Sequence, residues 1–142
     1  MKAGPELLQW SDTFATGVDR IDRQHRMLLN ILNDANHCFR HGGNAEAQAR
    51  ALEDLIGYTI YHFDSEEELM ESGSYGDRWP DDERNHVREH RAFAKAAAEY
   101  QLAIKQGGSI DYARLFGFLN NWLLNHVMGT DQKLGAFLNS GG

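Results

Sequence analysis

The chain has a single cysteine, Cys38, so no disulfide can form within it. A reducing compartment is compatible with that usage. Basic residues are also scarce: 14 Lys and Arg stand against 21 Asp and Glu, giving a formal net charge of −7. That balance excludes the basic stripe a nucleic-acid partner needs and the basic face an anionic membrane attracts. Long hydrophobic runs are missing too. Met1 to Trp10 contains none that would suit a signal peptide. The most apolar stretch, near Trp122 to Leu124, is too short and interrupted to span a bilayer. There is no internal repeat and no low-complexity tract. The expectation is a soluble, cytoplasmic chain with no nucleic-acid and no membrane partner. Its 142 residues suit one domain with a substantial core.

What the chain does have is helical periodicity. Residues 1–19 read as an irregular arm punctuated by Gly4, Pro5, Ser11, Asp12 and Gly17. Trp10, Phe14 and Val18 are expected to pin it down as ordinary core packing. Four amphipathic helices follow, at about 19–41, 45–72, 81–106 and 110–139, with apolar residues recurring three and four apart. Gly42-Gly43 and Gly107-Gly108 mark helix ends, and Asn44 and Ser109 suit N-caps. Gly73, Gly76 and Pro80 mark the middle break, after which Asp81 and Asp82 suit a helix start. Short connections between long helices imply antiparallel neighbours, and so an all-α, up-down-up-down four-helix bundle.

Each helix carries metal-ligand residue types on its inner stripe: His25 on the first, His62 and Glu66 on the second, His86 and His90 on the third, His126 and Asp131 on the fourth. Residues three or four apart share a helix face, so each stretch can aim donors inward. Buried His, Glu and Asp are costly without partners, so their recurrence on inner faces calls for a common one. Imidazole suits late transition metals and carboxylate suits harder ions, and the mixture of five imidazoles with two carboxylates fits iron best. With one bridging oxygen from water, these groups fill all but one position around two six-coordinate ions. That leaves a single place for a small ligand. His126 and Asp131 sit roughly 140° apart on an ideal helix, so both can ligate only where the helix twists or bulges, which Gly129 is expected to ease.

Other residues read as ordinary. His37 and His41 suit the end of the first helix and its dipole. Cys38 reads as a buried small residue, and Met27, Met70 and Met128 as gap fillers. The acids other than Glu66 in the run from Asp64 to Glu68 read as a solvated face.

The chain resembles the hemerythrins, most closely the bacterial ones. The matching residues are Trp10 through Phe14, Gly17, Asp22, Gln24-His25, His62-Phe63, Glu66-Glu67, Leu69-Met70, His86, His90, Phe93, Trp122-Leu123, Asn125-His126, Asp131, Lys133-Leu134 and Phe137-Leu138. The resemblance implies reversible dioxygen binding at a non-haem di-iron centre, two irons per chain bridged by an oxo or hydroxo group. It implies that His86, His90 and His126 hold a saturated iron, that His25 and His62 hold the iron with the open position, and that Glu66 and Asp131 bridge. It also implies that Leu28, Phe63, Trp122, Leu123 and Val127 wall the oxygen pocket. The expected role is non-enzymatic: oxygen storage, delivery or buffering. The alternatives are an enzyme acting on peroxide or nitric oxide, and an oxygen or redox sensor signalling through a separate partner. In one place the chain departs from the family. Twenty residues separate Glu66 from His86, more than is usual there, and the surplus at 72–82 is expected to form a surface bulge or a cover over the ligand's path.

Overall fold

The computed structural model describes residues 10–41, 44–107 and 111–140. Its helices are α1 (Asp19–Arg40), α2 (Ala45–Ser72), the short α3 (Tyr75–Arg78), α4 (Pro80–Lys105), α5 (Tyr112–Asn125) and α6 (Asp131–Asn139). A π-helical segment, His126–Thr130, joins α5 to α6, and a 3-10 turn, Asp12–Phe14, lies in the arm. The long helices make the expected bundle, and no strand occurs among the described residues.

Local chemistry sets the ends. The Asn44 side chain accepts the Ala47 N–H at 2.8 Å and starts α2. Pro80 occupies the first turn of α4, where its missing N–H is harmless, followed by Asp81, Asp82 and Glu83 at the positive end of the dipole. Gly107, just beyond α4, takes φ +75°, a backbone conformation that glycine adopts without strain. The glycine pair 42–43 and the Ser109 cap lie outside the described residues. The cap seen on α5 is Asp111, which accepts from the N–H groups of Ala113 and Arg114.

The buried side chains form three layers across the bundle. The largest is a dry core of Leu32 and Phe39 from α1, Leu52 and Leu55 from α2, Phe93 and Ala97 from α4, and Phe116 and Leu119 from α5. A smaller one joins Ile21, Met70, Tyr75, Leu134 and Phe137. Between them lie His25, His62, His86, His90 and His126 with Glu66 and Asp131, all buried. At about 1.5–3 kcal/mol for each fully buried large apolar side chain, the two cores clamp the polar layer from both sides.

The segment at 72–82 lies mostly on the surface, as a bulge would, but it is anchored by one buried residue, Tyr75. Ser74 takes a left-handed turn (φ 59°) that starts α3, and the Tyr75 ring plugs the small core 5.0 Å from Phe137. Trp79 is left exposed. In the arm, Trp10, Phe14 and Val18 are only partly buried, though Val18 packs against the small core and the Trp10 and Phe14 rings meet edge to face. Polar contacts hold the arm as well, Asn139 Nδ2 donating to the Thr16 carbonyl and Gln132 Nε2 to the Phe14 carbonyl. Gly135 of α6 packs directly on Thr16, where a Cβ would come within 2.7 Å of the Thr16 Cβ. Cys38 is half-buried, less sheltered than its residue type suggests.

Candidate metal centre

The fourth helix solves the five-residue spacing with a π turn. The Asp131 N–H bonds to the His126 carbonyl, an i to i+5 link that adds one residue to the turn and brings both side chains to the same face. The turn does not require a glycine at 129. The φ of Gly129 lies outside the left-handed range, and a Cβ there would meet nothing within 4 Å.

The seven residues converge as two groups that share Glu66. His86, His90 and His126 place Nε2 at 3.1, 3.0 and 3.4 Å from Glu66 Oε1. Asp131 Oδ1 joins this side, 3.1 Å from His86 Nε2 and 2.9 Å from His126 Nε2. The other oxygens face the other way. Glu66 Oε2 lies 3.4 Å from His62 Nε2 and 3.9 Å from His25 Nε2, and Asp131 Oδ2 lies 2.8 Å from His25 Nε2. Each carboxylate thus gives one oxygen to a three-histidine group and one to a two-histidine group.

The donor set fits a pair of metal ions. Both Asp131 oxygens, Glu66 Oε2, His25 Nε2 and His62 Nε2 are buried without a hydrogen-bond partner, even though some of them lie close together. In each group these ligand atoms lie within 4.8 Å of one another, close enough to share one ion. Each such atom left unpaired costs about 1–3 kcal/mol or more. A cation is the partner that satisfies several acceptors at once.

Outside the seven, three imidazoles are oriented through Nδ1. His62 Nδ1 donates to Gln24 Oε1 at 2.7 Å, His90 Nδ1 to Glu67 Oε2 at 2.9 Å and His126 Nδ1 to Glu89 Oε1 at 2.8 Å. With the donor proton on Nδ1, the neutral ring presents its Nε2 lone pair to the centre. Glu67 is therefore not part of a solvated face. Glu89 and Gln24 were not singled out as site residues by the sequence reading either. The signal available for both glutamates is a carboxylate one residue from a ligand-type side chain.

Without metal, protons play the cation's part. Burial pushes the Glu66 carboxyl up, but the surrounding histidines, His62 foremost, overcome this and hold it well below the usual carboxylate range. Burial and the Glu66 charge push Asp131 up, and the close imidazoles of His126 and His25 bring it well below normal. Burial depresses His86, yet the close carboxylates of Asp131 and Glu66 lift it to about 9. His126 is likewise burdened by burial and raised well above its usual value, chiefly by Asp131. The Glu89 carboxyl is lowered, chiefly by its bond from His126.

Beside His25 lies a small void of about 20 Å³, lined by Trp10, Phe14, Leu29, Leu123, Leu124 and Val127. It has room for one water-sized molecule. Of the expected pocket wall, Leu123 and Val127 line this void. Phe63 stacks flat on His90 with ring centres 3.9 Å apart, and Trp122 stacks on His126 at 4.6 Å. Leu28 sits in the large core one turn from His25. His37 and His41 pair with each other at the far end of α1, with ring centres 4.3 Å apart.

The model of the Hemerythrin HHE cation binding domain matches residues 16–138. Bacteriohemerythrin of Stenotrophomonas maltophilia (strain R551-3) is 36% identical over 126 residues, covering 89% of this chain and 78% of its own. Myohemerythrin of Theromyzon tessulatum is 29% identical, covering 91% and 92% of the two chains. A crystal structure of wild-type hemerythrin superposes with a TM-score of 0.83 at 28% identity, covering 94% of this chain and 98% of its own. No described helix is long and apolar enough to cross a membrane. The family match across nearly the whole bundle, together with the close relatives, makes the chain a member of the hemerythrin family.

Proposed function

We propose that the chain binds dioxygen reversibly at a non-haem pair of irons, for storage, delivery or buffering in the cytoplasm, and that it is not an enzyme. His86, His90 and His126 would hold one ion, His25 and His62 the other, and Glu66 and Asp131 would bridge them alongside an oxo or hydroxo group. The observation that carries this is the split of each carboxylate between the two histidine groups. When bound, the irons supply the two electrons that dioxygen takes up and returns.

The chain's own residues do the rest. Gln24 fixes the His62 ring. The apolar lining beside His25 leaves room for a small neutral molecule and offers water and protons few polar partners. Among the described residues, His25 is the one acid or base that lines that void, and this lining supports binding over a reaction that consumes protons at each turnover.

The test is metal analysis followed by absorption spectra under nitrogen, then air, then nitrogen again. Two irons per chain and a charge-transfer band that comes and goes with oxygen are expected. A permanent change after first aeration, or sustained turnover of peroxide or nitric oxide, would overturn the reading. His62→Ala should abolish the oxygen-dependent band, while His37→Ala should leave it alone.

A further inference from the structure

The two histidine groups differ in what stands behind them. Behind the three-histidine group are two carboxylates, Glu67 on His90 and Glu89 on His126. Glu89 is locked in place by Thr130, whose hydroxyl donates to both its oxygens at 2.7 and 2.9 Å. Behind the two-histidine group is a neutral amide, Gln24 on His62, itself held because its Nε2 donates to Ser65 Oγ at 3.1 Å. The Nδ1 atoms of His25 and His86 are buried with no hydrogen-bond partner. Every charged backing group among the described residues thus falls on one side.

Solvation does not explain this placement. The Glu67 and Glu89 side chains are 34% and 40% exposed, so either could turn its charge to water instead of to an imidazole. An N–H that donates to a carboxylate makes its ring a stronger electron donor than one that donates to an amide. Stronger donors favour the higher oxidation state of a bound ion.

We propose that Glu67 and Glu89, set against neutral Gln24, are positioning residues that grade the two irons, so that the ion on His86, His90 and His126 gives up its electron more readily than the ion on His25 and His62. The proposal rests on the di-iron reading above and deepens it. The step is a one-electron oxidation of ferrous to ferric ion with no covalent bond broken. The electron goes to dioxygen or, in the test, to ferricyanide, and the Nδ1 proton stays in its hydrogen bond. The consequence is a division of labour. The saturated ion is biased to pass its electron across the bridge, and the ion beside the void is biased to hold its electron until a ligand arrives.

The experiment is an anaerobic redox titration of the iron-loaded protein with ferricyanide, followed by absorption. Glutamine at position 67 or 89 removes the charge and keeps an acceptor oxygen for histidine, which at 89 can also still accept from Thr130, so a purely structural role would survive it. Glu67→Gln and Glu89→Gln should each disfavour the first oxidation about tenfold, which is about 59 mV for a one-electron couple. Gln24→Glu should favour the second oxidation by a similar factor, narrowing the gap between the steps. Nuclear magnetic resonance of the zinc-loaded protein gives a readout independent of iron and oxygen. The His90 and His126 Nδ1 protons should be the most downfield, and Glu67→Gln should move the His90 signal alone. Oxidation steps unchanged within twofold in all three variants, or a His90 proton indifferent to Glu67→Gln, would overturn the grading. Uptake of fewer than two irons by the unaltered protein would instead defeat the di-iron reading at the metal assay.

Discussion

The dry core around Phe116 and the polar layer around Glu66 are built on the same long helices under opposite rules. In the first, side chains satisfy one another: Phe39 and Phe116 meet edge to face with ring centres 5.3 Å apart, and no ion is needed. In the second, atoms at similar depth lie close yet leave lone pairs unanswered. The contrast separates what folds the chain from what the chain is for. The apolar layers supply stability without metal, and the polar layer spends part of it to hold a geometry that only a cation completes.

The sharpest way to break this comparison is at Glu66, whose two oxygens face all five histidines between them. Glu66→Ala should lower iron content from two per chain to a small fraction of that, by elemental analysis, while circular dichroism shows the helices intact. Two irons retained in that variant would remove the carboxylate from its central place. Next comes the dry side. Phe116→Ala should cost about 3–5 kcal/mol, seen as a lower melting temperature with and without metal, yet leave iron stoichiometry at two. A loss of iron at moderate temperature would show that the two layers are not independent.

The smallest effect is a dependence on pH. His86 is raised to about 9 in the metal-free protein, above its usual value near 6.5, so its contribution to the metal-free fold is full below about 6.5 and fades as pH rises through about 9. A bound metal needs the neutral ring, so uptake below pH 9 releases a proton and tightens as pH rises. The gap in melting temperature between metal-loaded and metal-free protein should therefore widen from pH 6.5 to 9. A constant gap would place the protons elsewhere.

Much of the site is legible in the chain because His62 with Glu66, and His86 with His90, repeat at the helical period that also carries the core. The helix limits agree within two residues for the same reason, since Asn44, Pro80 and the acids after it mark their ends chemically. The bulge at 126–130 is legible as a necessity, because five residues cannot share a face on a regular helix. Glu67 and Glu89 are not. Each is partly exposed and flanked by other polar residues, and only the approach of a second helix gives it a histidine to hold. Tyr75 is hidden for a related reason. Nothing in a stretch rich in Gly, Ser and Asp announces that one ring will swing back under the bundle. The places of Phe63 and Trp122, stacked on imidazoles of the three-histidine group, likewise depend on which rings meet across helices.

The extra residue in the π turn shifts the phase of everything after it. A one-residue offset turns the C-terminal part of the helix by about 100°, so Asp131, Leu134, Gly135 and Phe137 owe their directions to the same displacement. The Asp131 carboxylate, two of the five buried side chains of the small core and the seat for Thr16 are thus set together. Deleting a single residue there would unseat all three at once, which makes this turn the keying point between the end of the chain and its beginning.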